Sequence, residues 1–371
     1  MKTLVLFTFF FALNVSAKID EPPRASQKKA NVVVLYTAES MEKAEVVENL
    51  ADVARFAIDQ FDQENHVKSE INLIPIDDKD DPQLALKTLK NIPENQKPVA
   101  ILGPVYSNVA LGLKDYVTDA QIPLISIFAT HNDLTKNTNY VFRICASNRR
   151  LVKTMADFLV PEVKKNHLNL TTFKDLSDDY STDLADTFRQ YVGSVISSYN
   201  EVLFKGIPGS DRLRDINSRI WTPTKKDIMF FPDRDLVAGH ILAAMETEPY
   251  MVAAIDTVDF LHLMSHLKKE KTHIRIVTTS QWLPQKSEYS RKVEEAFKEK
   301  FHRSMTIASA LAYDAAYTMA SAYQRSILKS VPLVQTLRDG TRLTGVTGLI
   351  FIGADGERVF SDQFIKEDVV E

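Results

Sequence analysis

The chain has 371 residues, and its 45 lysines and arginines against 49 aspartates and glutamates give a formal net charge of −4. Because the basic residues are scattered along the chain rather than clustered, this composition argues against binding to nucleic acid. The single cysteine, Cys145, excludes an internal disulfide, and since it follows an apolar strand we expect a buried, unreactive thiol.

The first seventeen residues are typical of an export signal. They carry one lysine, an apolar segment from Leu4 to Leu13 and small residues up to Ala17. This segment is shorter than the roughly twenty apolar residues that a membrane-spanning helix needs. We therefore expect cleavage after Ala17 and a soluble protein in the periplasm. No cysteine lies near the cleavage site, so a lipid anchor is not expected. The remaining chain is long enough for two domains.

Strands and helices alternate in the next part of the chain. The apolar run NVVVLY predicts a buried strand, and apolar residues at three- and four-residue steps predict a helix from about Met41 to Gln63. A second strand, INLIPID, precedes Asp81 and Pro82, which are typical of the first positions of a helix. This order predicts a doubly wound parallel sheet. The acidic run DDKDD between strand and helix is interpreted as a solvated loop rather than a metal site.

A ligand site is predicted within residues 99–143. The strand VAILG ends at Gly103-Pro104, and Ser107 and Asn108 are good capping residues for the helix that follows. Free backbone N–H groups, a hydroxyl group and the positive end of a helix dipole together favour an anionic group such as a carboxylate.

The next strand, LISIF, carries Ala129, Thr130 and His131 to the same edge of the sheet. Ligands of open α/β sheets bind at the carboxyl ends of the strands. Each of these hydroxyl-bearing residues alone has a purely structural alternative, in which Ser107 caps a helix and Thr130 ends a strand. Their meeting at one crevice favours a binding site.

Three motifs occur in order here: G-P-x-x-S, I-P-L-I-S-x-x-A-T-x-x-x-L and Y-x-F-R. Together they resemble the leucine/isoleucine/valine-binding protein family, the type I periplasmic binding proteins. The resemblance implies that Ser107, Ala129 and Thr130 hold the α-carboxylate and α-amino group of an amino acid. It also implies two α/β lobes that are joined by a hinge.

The second half of the chain predicts another α/β sheet with its own core. Its expected strands are LTTFKD, EVLFKG, DIMFFPD, YMVAAID and IRIVTTSQW. A short segment, 145–149, suits a hinge between the two sheets. A-Y-D-A around Asp314 and the closing stretch LTGVTGLIFIGADGERVF also resemble the family, with a hairpin turn expected at Asp355-Gly356. The resemblance implies a first lobe of residues 30–145 with 288–342, and a second lobe of residues 146–287 with 343–371.

The second lobe contributes weaker candidates. Tyr180 matches the aromatic residue with which the family covers its ligand, although a surface tyrosine is the alternative. Arg234 follows the strand DIMFF and could pair with a carboxylate, or could simply be solvated. Where the family has an acidic partner for the ligand's ammonium group, this chain reads TTSQW, and Asp256 could substitute for it. We expect one of Arg234, Asp256 or Gln281 to contact the ligand from the second lobe. Trp282 could stack on a ligand or belong to the core.

No enzyme signature is present: G-x-S-x-G, the P-loop, G-x-G-x-x-G and H-E-x-x-H are all missing. The hypothesis is therefore a monomeric solute-binding protein without enzyme activity, cofactor or metal. Its lobes would close on a small polar ligand, an amino acid or a related carboxylate, and by resemblance it would deliver that ligand to the membrane permease of an ABC importer. The alternative is a regulator or scaffold of envelope enzymes that keeps the fold without binding a ligand.

Overall fold

The computed structural model covers most of the chain. The residues that it describes are 29–38, 50–205, 224–233, 238–239, 241–242, 248–255, 274–359 and 364–369. The predicted export signal and two candidate site residues, Arg234 and Asp256, lie outside these ranges. Within them, no helix combines the length and the apolar composition that a membrane span requires.

The first sheet confirms the predicted parallel arrangement. Its strands are β1 (Ala30–Tyr36), β2 (Ile71–Asp77), β3 (Ala100–Leu102), β4 (Leu124–Ser126) and β5 (Val141–Arg143). They lie in the order β2-β1-β3-β4-β5, and every neighbouring pair is parallel. The side chains of Val32 to Leu35 are completely buried, as expected for a strand that is covered on both faces.

Three helices follow strands of this sheet: α1 (Leu50–Asn65), α2 (Pro82–Lys90) and α3 (Ser107–Asp119). Asp81 caps α2 as predicted, since its side chain accepts hydrogen bonds from the N–H groups of Gln83 and Leu84. The predicted capping of α3 by Ser107 or Asn108 is wrong. Tyr106 is the N-cap residue, and no side chain accepts a hydrogen bond there.

The second sheet contains the five predicted strands and one edge strand that is not predicted from the sequence. It contains β6 (Asn169–Asp175), β7 (Tyr199–Phe204), β8 (Asp227–Phe231), β9 (Met251–Ala254) and β10 (Arg275–Ser280), all parallel, with β13 (Phe364–Val369) antiparallel at one edge. The order is β13-β10-β9-β8-β6-β7. Helices α4 (Asn148–Asn166) and α5 (Asp179–Val192) pack against each other and cover one face of this sheet.

The chain then returns to the first core. The returning elements are α6 (Glu288–Phe301), α7 (Ile307–Lys329), α8 (Leu333–Arg338) and a hairpin of β11 (Arg342–Gly345) and β12 (Gly348–Phe351). Helix α7 packs along α1. Val346 and Ile350 of the hairpin are buried in the first core, whereas β13 joins the second sheet. The last passage between the lobes therefore lies between β12 and β13.

The hairpin turn expected at Asp355-Gly356 is only partly correct. A turn occurs there, but an isolated bridge between Ile352 and Arg358 closes it, instead of the two alternating strands that the sequence predicts. The two-stranded hairpin lies earlier and turns at Val346 and Thr347. This earlier turn is not predicted from the sequence.

Candidate functional site

The candidate site lies at the carboxyl edge of the first sheet, where β3 leads into α3. Gly103 has φ +100°, and a Cβ atom there would lie 2.4 Å from the carbonyl oxygen of Leu35. Only glycine fits this close approach of two backbones. The Gly103-Pro104 peptide bond is cis. This turn brings the beginning of α3 next to the end of the neighbouring strand β1.

Ser107 and Thr130 come together at this edge, as the sequence predicts. The Ser107 hydroxyl oxygen accepts a hydrogen bond of 3.3 Å from the N–H group of His131. Thr130, the preceding residue, is 2% exposed. No side chain caps the beginning of α3. The positive end of this helix and the Ser107 hydroxyl both lie beside the loop that carries Thr130.

The loop itself is held by hydrogen bonds from three sides. The N–H of Ala129 donates to the Ser126 hydroxyl over 3.1 Å, and its carbonyl accepts from the Cys145 thiol over 3.3 Å. The carbonyl of Thr130 accepts from the N–H of Asn148 over 2.7 Å. Cys145 is buried, as predicted. The Ala129 backbone is thus engaged within the protein, which makes the loop a fixed support for Thr130.

Arg143 is the main residue that sequence reasoning missed at this site. Its guanidinium group is completely buried and donates to the carbonyls of Thr130 and His131, each over 2.7 Å. It also forms a salt bridge of 3.1 Å with the carboxylate of Glu357, which accepts a hydrogen bond of 2.6 Å from the Thr135 hydroxyl. Such charge-assisted bonds are stronger than neutral ones. The signal was present, since Arg143 ends the Y-x-F-R motif.

Asn108 and the acidic run occupy the neighbouring loop. The Asn108 amide donates to the carbonyl of Asp80 over 3.1 Å. The interpretation of DDKDD as fully solvated is wrong for Asp78, which is buried and accepts hydrogen bonds from the Thr37 hydroxyl and from the N–H of Asp80. Burial raises the pKa of Asp78, and the Thr37 hydrogen bond partly opposes that shift.

On the second lobe, Tyr180 lies in the first turn of α5, where the resemblance places it. Its N–H donates to the Asp178 carboxylate over 2.9 Å, and its half-buried ring packs against the second core. One helical turn later, Asp183 faces the first lobe and accepts a hydrogen bond from the Asn132 amide. No sequence motif indicated either Asp183 or Asn132.

Gln281 lies at the hinge. Its side-chain oxygen accepts a hydrogen bond from the N–H of Ala146, so it links the first connection between the lobes to the second. Trp282 is 5% exposed and belongs to the first core, which decides between the two alternatives for this residue. Gln281 therefore binds one connection to another at the point where the lobes join.

A network of buried polar residues holds the third connection between the lobes, which runs from β12 to β13. The Asp314 carboxylate on α7 accepts hydrogen bonds from the N–H groups of Val346 and Thr347. Arg358 donates to the Thr347 hydroxyl over 2.7 Å and to the carbonyl of Ile144 over 3.1 Å. Burial raises the pKa of Asp314, and the nearby Arg358 charge opposes that shift. The first and third connections therefore meet at Arg358.

The family model described as the receptor family ligand binding region matches residues 49–363. No curated protein sequence gives a significant match. Among the described residues, no group of three or more histidine, cysteine or acidic side chains is arranged to hold a metal ion.

Solved structures share the fold at low sequence identity. The branched-chain amino acid transporter substrate-binding protein LivJ of Streptococcus pneumoniae, in complex with isoleucine, is 20% identical, covers 92% of this chain and 99% of its own, and has a TM-score of 0.74. A leucine-binding protein, LivK, of Thermotoga maritima is 18% identical over 92% and 98%, with a TM-score of 0.71.

A solute-binding protein of an ABC transporter from Rhodopseudomonas palustris, in complex with 3,4-dihydroxybenzoic acid, is 15% identical over 91% of this chain and 92% of its own, with a TM-score of 0.69. The matched family model spans most of the chain, and these structures share its two-sheet architecture. The chain therefore belongs to the receptor family ligand binding region, and it has the fold of the type I periplasmic binding proteins.

Proposed function

We propose that this chain is an exported, periplasmic solute-binding protein whose two lobes close around a small polar ligand, an amino acid or a related carboxylate. One observation carries the proposal: the Ser107 hydroxyl and the uncapped beginning of α3 lie beside Thr130 at the carboxyl edge of a parallel sheet. Hydrogen-bond donors at the positive end of a helix suit a carboxylate. The closed protein, a monomer, delivers its ligand to the permease of an ABC importer.

The two lobes contribute different contacts in this proposal. Ser107 and the start of α3 bind the ligand's carboxylate, and Thr130 binds its other polar group, with Ala129 lining the site. Tyr180 covers the ligand from the second lobe, together with Arg234 or Asp256. The hydrogen bond between Gln281 and the first connection supports a role for Gln281 in hinge rotation rather than in ligand contact.

The lobe boundaries belong to the same proposal. We assign residues 30–145 and 288–351 to the first lobe, and residues 146–287 and β13 to the second, so the boundary expected after residue 342 moves to the end of β12. Because Val346 and Ile350 are buried in the first core, the hairpin β11–β12 moves with the first lobe. Hinge closure then needs rotation only in the three short connections between the lobes.

A thermal-shift screen tests the proposal. The chain from residue 18 onward would be refolded to remove bound solutes and tested against L-isoleucine, L-leucine, other amino acids, benzoate and 3,4-dihydroxybenzoate. These probes include the ligands of the structurally similar proteins. A solute present at 100 times its dissociation constant stabilises the folded state by about 2.7 kcal/mol. We expect one class of solute to raise the melting temperature by several degrees.

Two variants locate the site. The double variant Ser107→Ala/Thr130→Ala should lose the shift caused by the solute while its ligand-free melting temperature stays close to that of the wild type. Thr118→Ala is the matched control, because Thr118 lies on the same helix but its hydroxyl donates to the carbonyl of Lys114 at the opposite end. A shift that persists undiminished in the double variant would contradict the assignment of these two residues.

The second candidate function is a regulator or scaffold of envelope enzymes that binds no solute. The segment TTSQW favours it, because this segment contains no carboxylate for an ammonium group and its Gln281 is hydrogen-bonded at the hinge. A flat response to the whole panel, together with native mass spectra that show no co-purified small molecule, would support the regulator and contradict solute binding.

A further inference from the structure

Asn132 joins the two lobes directly. It lies in the loop after β4, two residues beyond Thr130. Its side-chain NH2 group donates to both carboxylate oxygens of Asp183, over 3.1 and 3.0 Å, and to the hydroxyl of Thr187 over 3.0 Å, and its backbone N–H donates to Oδ2 of Asp183 over 3.4 Å. Both partners lie on α5 of the second lobe. Its amide oxygen accepts a hydrogen bond of 2.9 Å from the N–H of Arg149.

The hydrogen bond from the N–H of Arg149 to Asn132 replaces a side-chain cap that the second lobe does not provide at the beginning of α4. Ser147 is the N-cap residue of α4, but its side chain makes no capping hydrogen bond. The first N–H groups of a helix need acceptors from outside the helix. Asn132 supplies one from the first lobe, so a single side chain binds the beginning of α4 and two side chains along the adjacent α5.

Asp183 is the centre of the contact on the other side. Besides the Asn132 amide, its carboxylate accepts a hydrogen bond of 2.6 Å from the amide of Asn148, and it lies 3.9 Å from Nε2 of His131. The side chains of Asp183 and His131 are only 18% and 15% exposed. The contact is therefore largely shielded from water, which strengthens its hydrogen bonds.

We propose that Asn132 and Asp183 form an interlobe latch that holds the lobes at this angle in the absence of ligand. Any rotation about residues 145–147 that moves α5 away from the loop after β4 must break the bonds of Asn132 to Asp183 and Thr187. The latch goes beyond the proposed function, because it acts without a solute. Asn132 and Thr130 lie in the same loop, so a solute bound at Thr130 would contact the loop that carries the latch.

Small-angle scattering of the refolded, ligand-free protein tests the latch. Asn132→Asp places a carboxylate opposite that of Asp183, and the two like charges repel each other. We expect the radius of gyration of this variant to rise above the wild-type value, which is roughly 21 Å for a compact chain of this length. Asn137→Asp is the matched control, because it makes the same charge change at an exposed position of the same loop. It should keep the wild-type radius.

The double variant Asn132→Asp/Asp183→Asn provides the decisive comparison. It reverses donor and acceptor, since the introduced amide can donate to the introduced carboxylate, which can still accept from the N–H of Arg149. We expect this variant to recover the wild-type radius of gyration. If the single variant has the wild-type radius, or if the double variant stays as expanded as the single one, the latch is refuted.

Hydrogen exchange keeps the proposal testable if Asn132→Asp does not fold. In Asn132→Ala the Arg149 amide loses its acceptor, and we expect it to exchange about tenfold faster, as befits the loss of one net hydrogen bond. Unchanged exchange at Arg149 would overturn the latch. Because both measurements use ligand-free protein, their failure is distinguishable from a failure of the solute screen.

Discussion

Replacing Arg143 with methionine tests whether burial, rather than distance, sets the strength of an ion pair in this protein. Arg143 lies 3.1 Å from Glu357, and Arg291 lies 3.1 Å from Glu295 on the surface of α6. The Arg143 side chain is 0% exposed, whereas that of Arg291 is 47% exposed. The two pairs have the same length and differ in their access to water, so Arg291→Met is a matched control.

The expected magnitude follows from what each substitution leaves behind. Removing one partner of a buried pair costs about 3–5 kcal/mol, because the other charge remains poorly solvated. The carbonyls of Thr130 and His131 keep hydrogen bonds from the N–H groups of Asn148 and Leu134, and Glu357 is 25% exposed. We therefore expect Arg143→Met to destabilise the protein by the lower figure, about 3 kcal/mol.

The control should behave differently. An exposed pair four residues apart on a helix contributes about 0.3–0.5 kcal/mol, so Arg291→Met should have little effect. At roughly 2–4 °C per kcal/mol for a folding unit the size of one lobe, about 150–250 residues, Arg143→Met should lower the melting temperature by about 6–12 °C. Urea unfolding followed by circular dichroism and differential scanning fluorimetry would measure both variants.

A double-mutant cycle separates the ion pair from the other contacts of Arg143. Glu357→Gln leaves the buried guanidinium without its counter-charge, so it should also destabilise the protein. Combining it with Arg143→Met should cost less than the two separate losses together, with a coupling of about 0.5–3 kcal/mol. Equal destabilisation by Arg143→Met and Arg291→Met, or strict additivity in the cycle, would refute the argument from burial.

Three further substitutions have defined outcomes. The hydrogen bonds from the Thr37 hydroxyl and the Asp80 N–H both reach Oδ1 of Asp78, whereas the buried Oδ2 has no partner, so Asp78→Asn keeps them and should cost no stability at pH 7. Burial raises the pKa of Asp78, so the folded state binds the proton more tightly than the unfolded state does. Lowering the pH through this raised pKa should therefore increase the unfolding free energy of the wild type relative to that of Asp78→Asn, as measured by urea unfolding. A difference that does not change with pH would contradict this. Asp314→Asn leaves at least one buried donor unsatisfied and should destabilise the protein by about 1–3 kcal/mol, whereas wild-type stability in urea would argue against this role of Asp314. Gly103→Ala forces a side chain into φ +100° and a contact of 2.4 Å with the carbonyl of Leu35, so a loss of at least about 1–3 kcal/mol is expected, and an unchanged melting temperature would be inconsistent with that backbone.

The sequence by itself determined the two parallel sheets. Apolar runs such as those of β1 and β8 are buried on both faces, and the helices between them repeat their apolar residues every three or four positions. These are local patterns, so they can be recognised in the sequence without knowledge of the fold. They also determined that Ser107 and Thr130 meet, because the carboxyl ends of parallel strands lie at one edge.

Only the tertiary structure decided the role of polar residues. Ser107 reads as a cap in the sequence, yet its hydroxyl accepts from His131 on the next loop. The acidic run reads as solvated, yet Asp78 is buried beneath its neighbours. A polar side chain has the same local pattern whether it is solvated or buried, and only the segments packed against it distinguish the two.

The contacts around the hinge were the hardest to predict from the sequence, because they depend on the path of the chain between the lobes. Arg143 pairs with Glu357, and Asn132 binds Asp183, although each pair is far apart in sequence. The closing stretch could have packed on either lobe by its apolar pattern, and the buried positions of Val346 and Ile350 place its hairpin with the first core. Periodicity specifies which face of an element is buried. Which core buries it, and which distant polar group it meets, is set by the three connections that pass between the lobes.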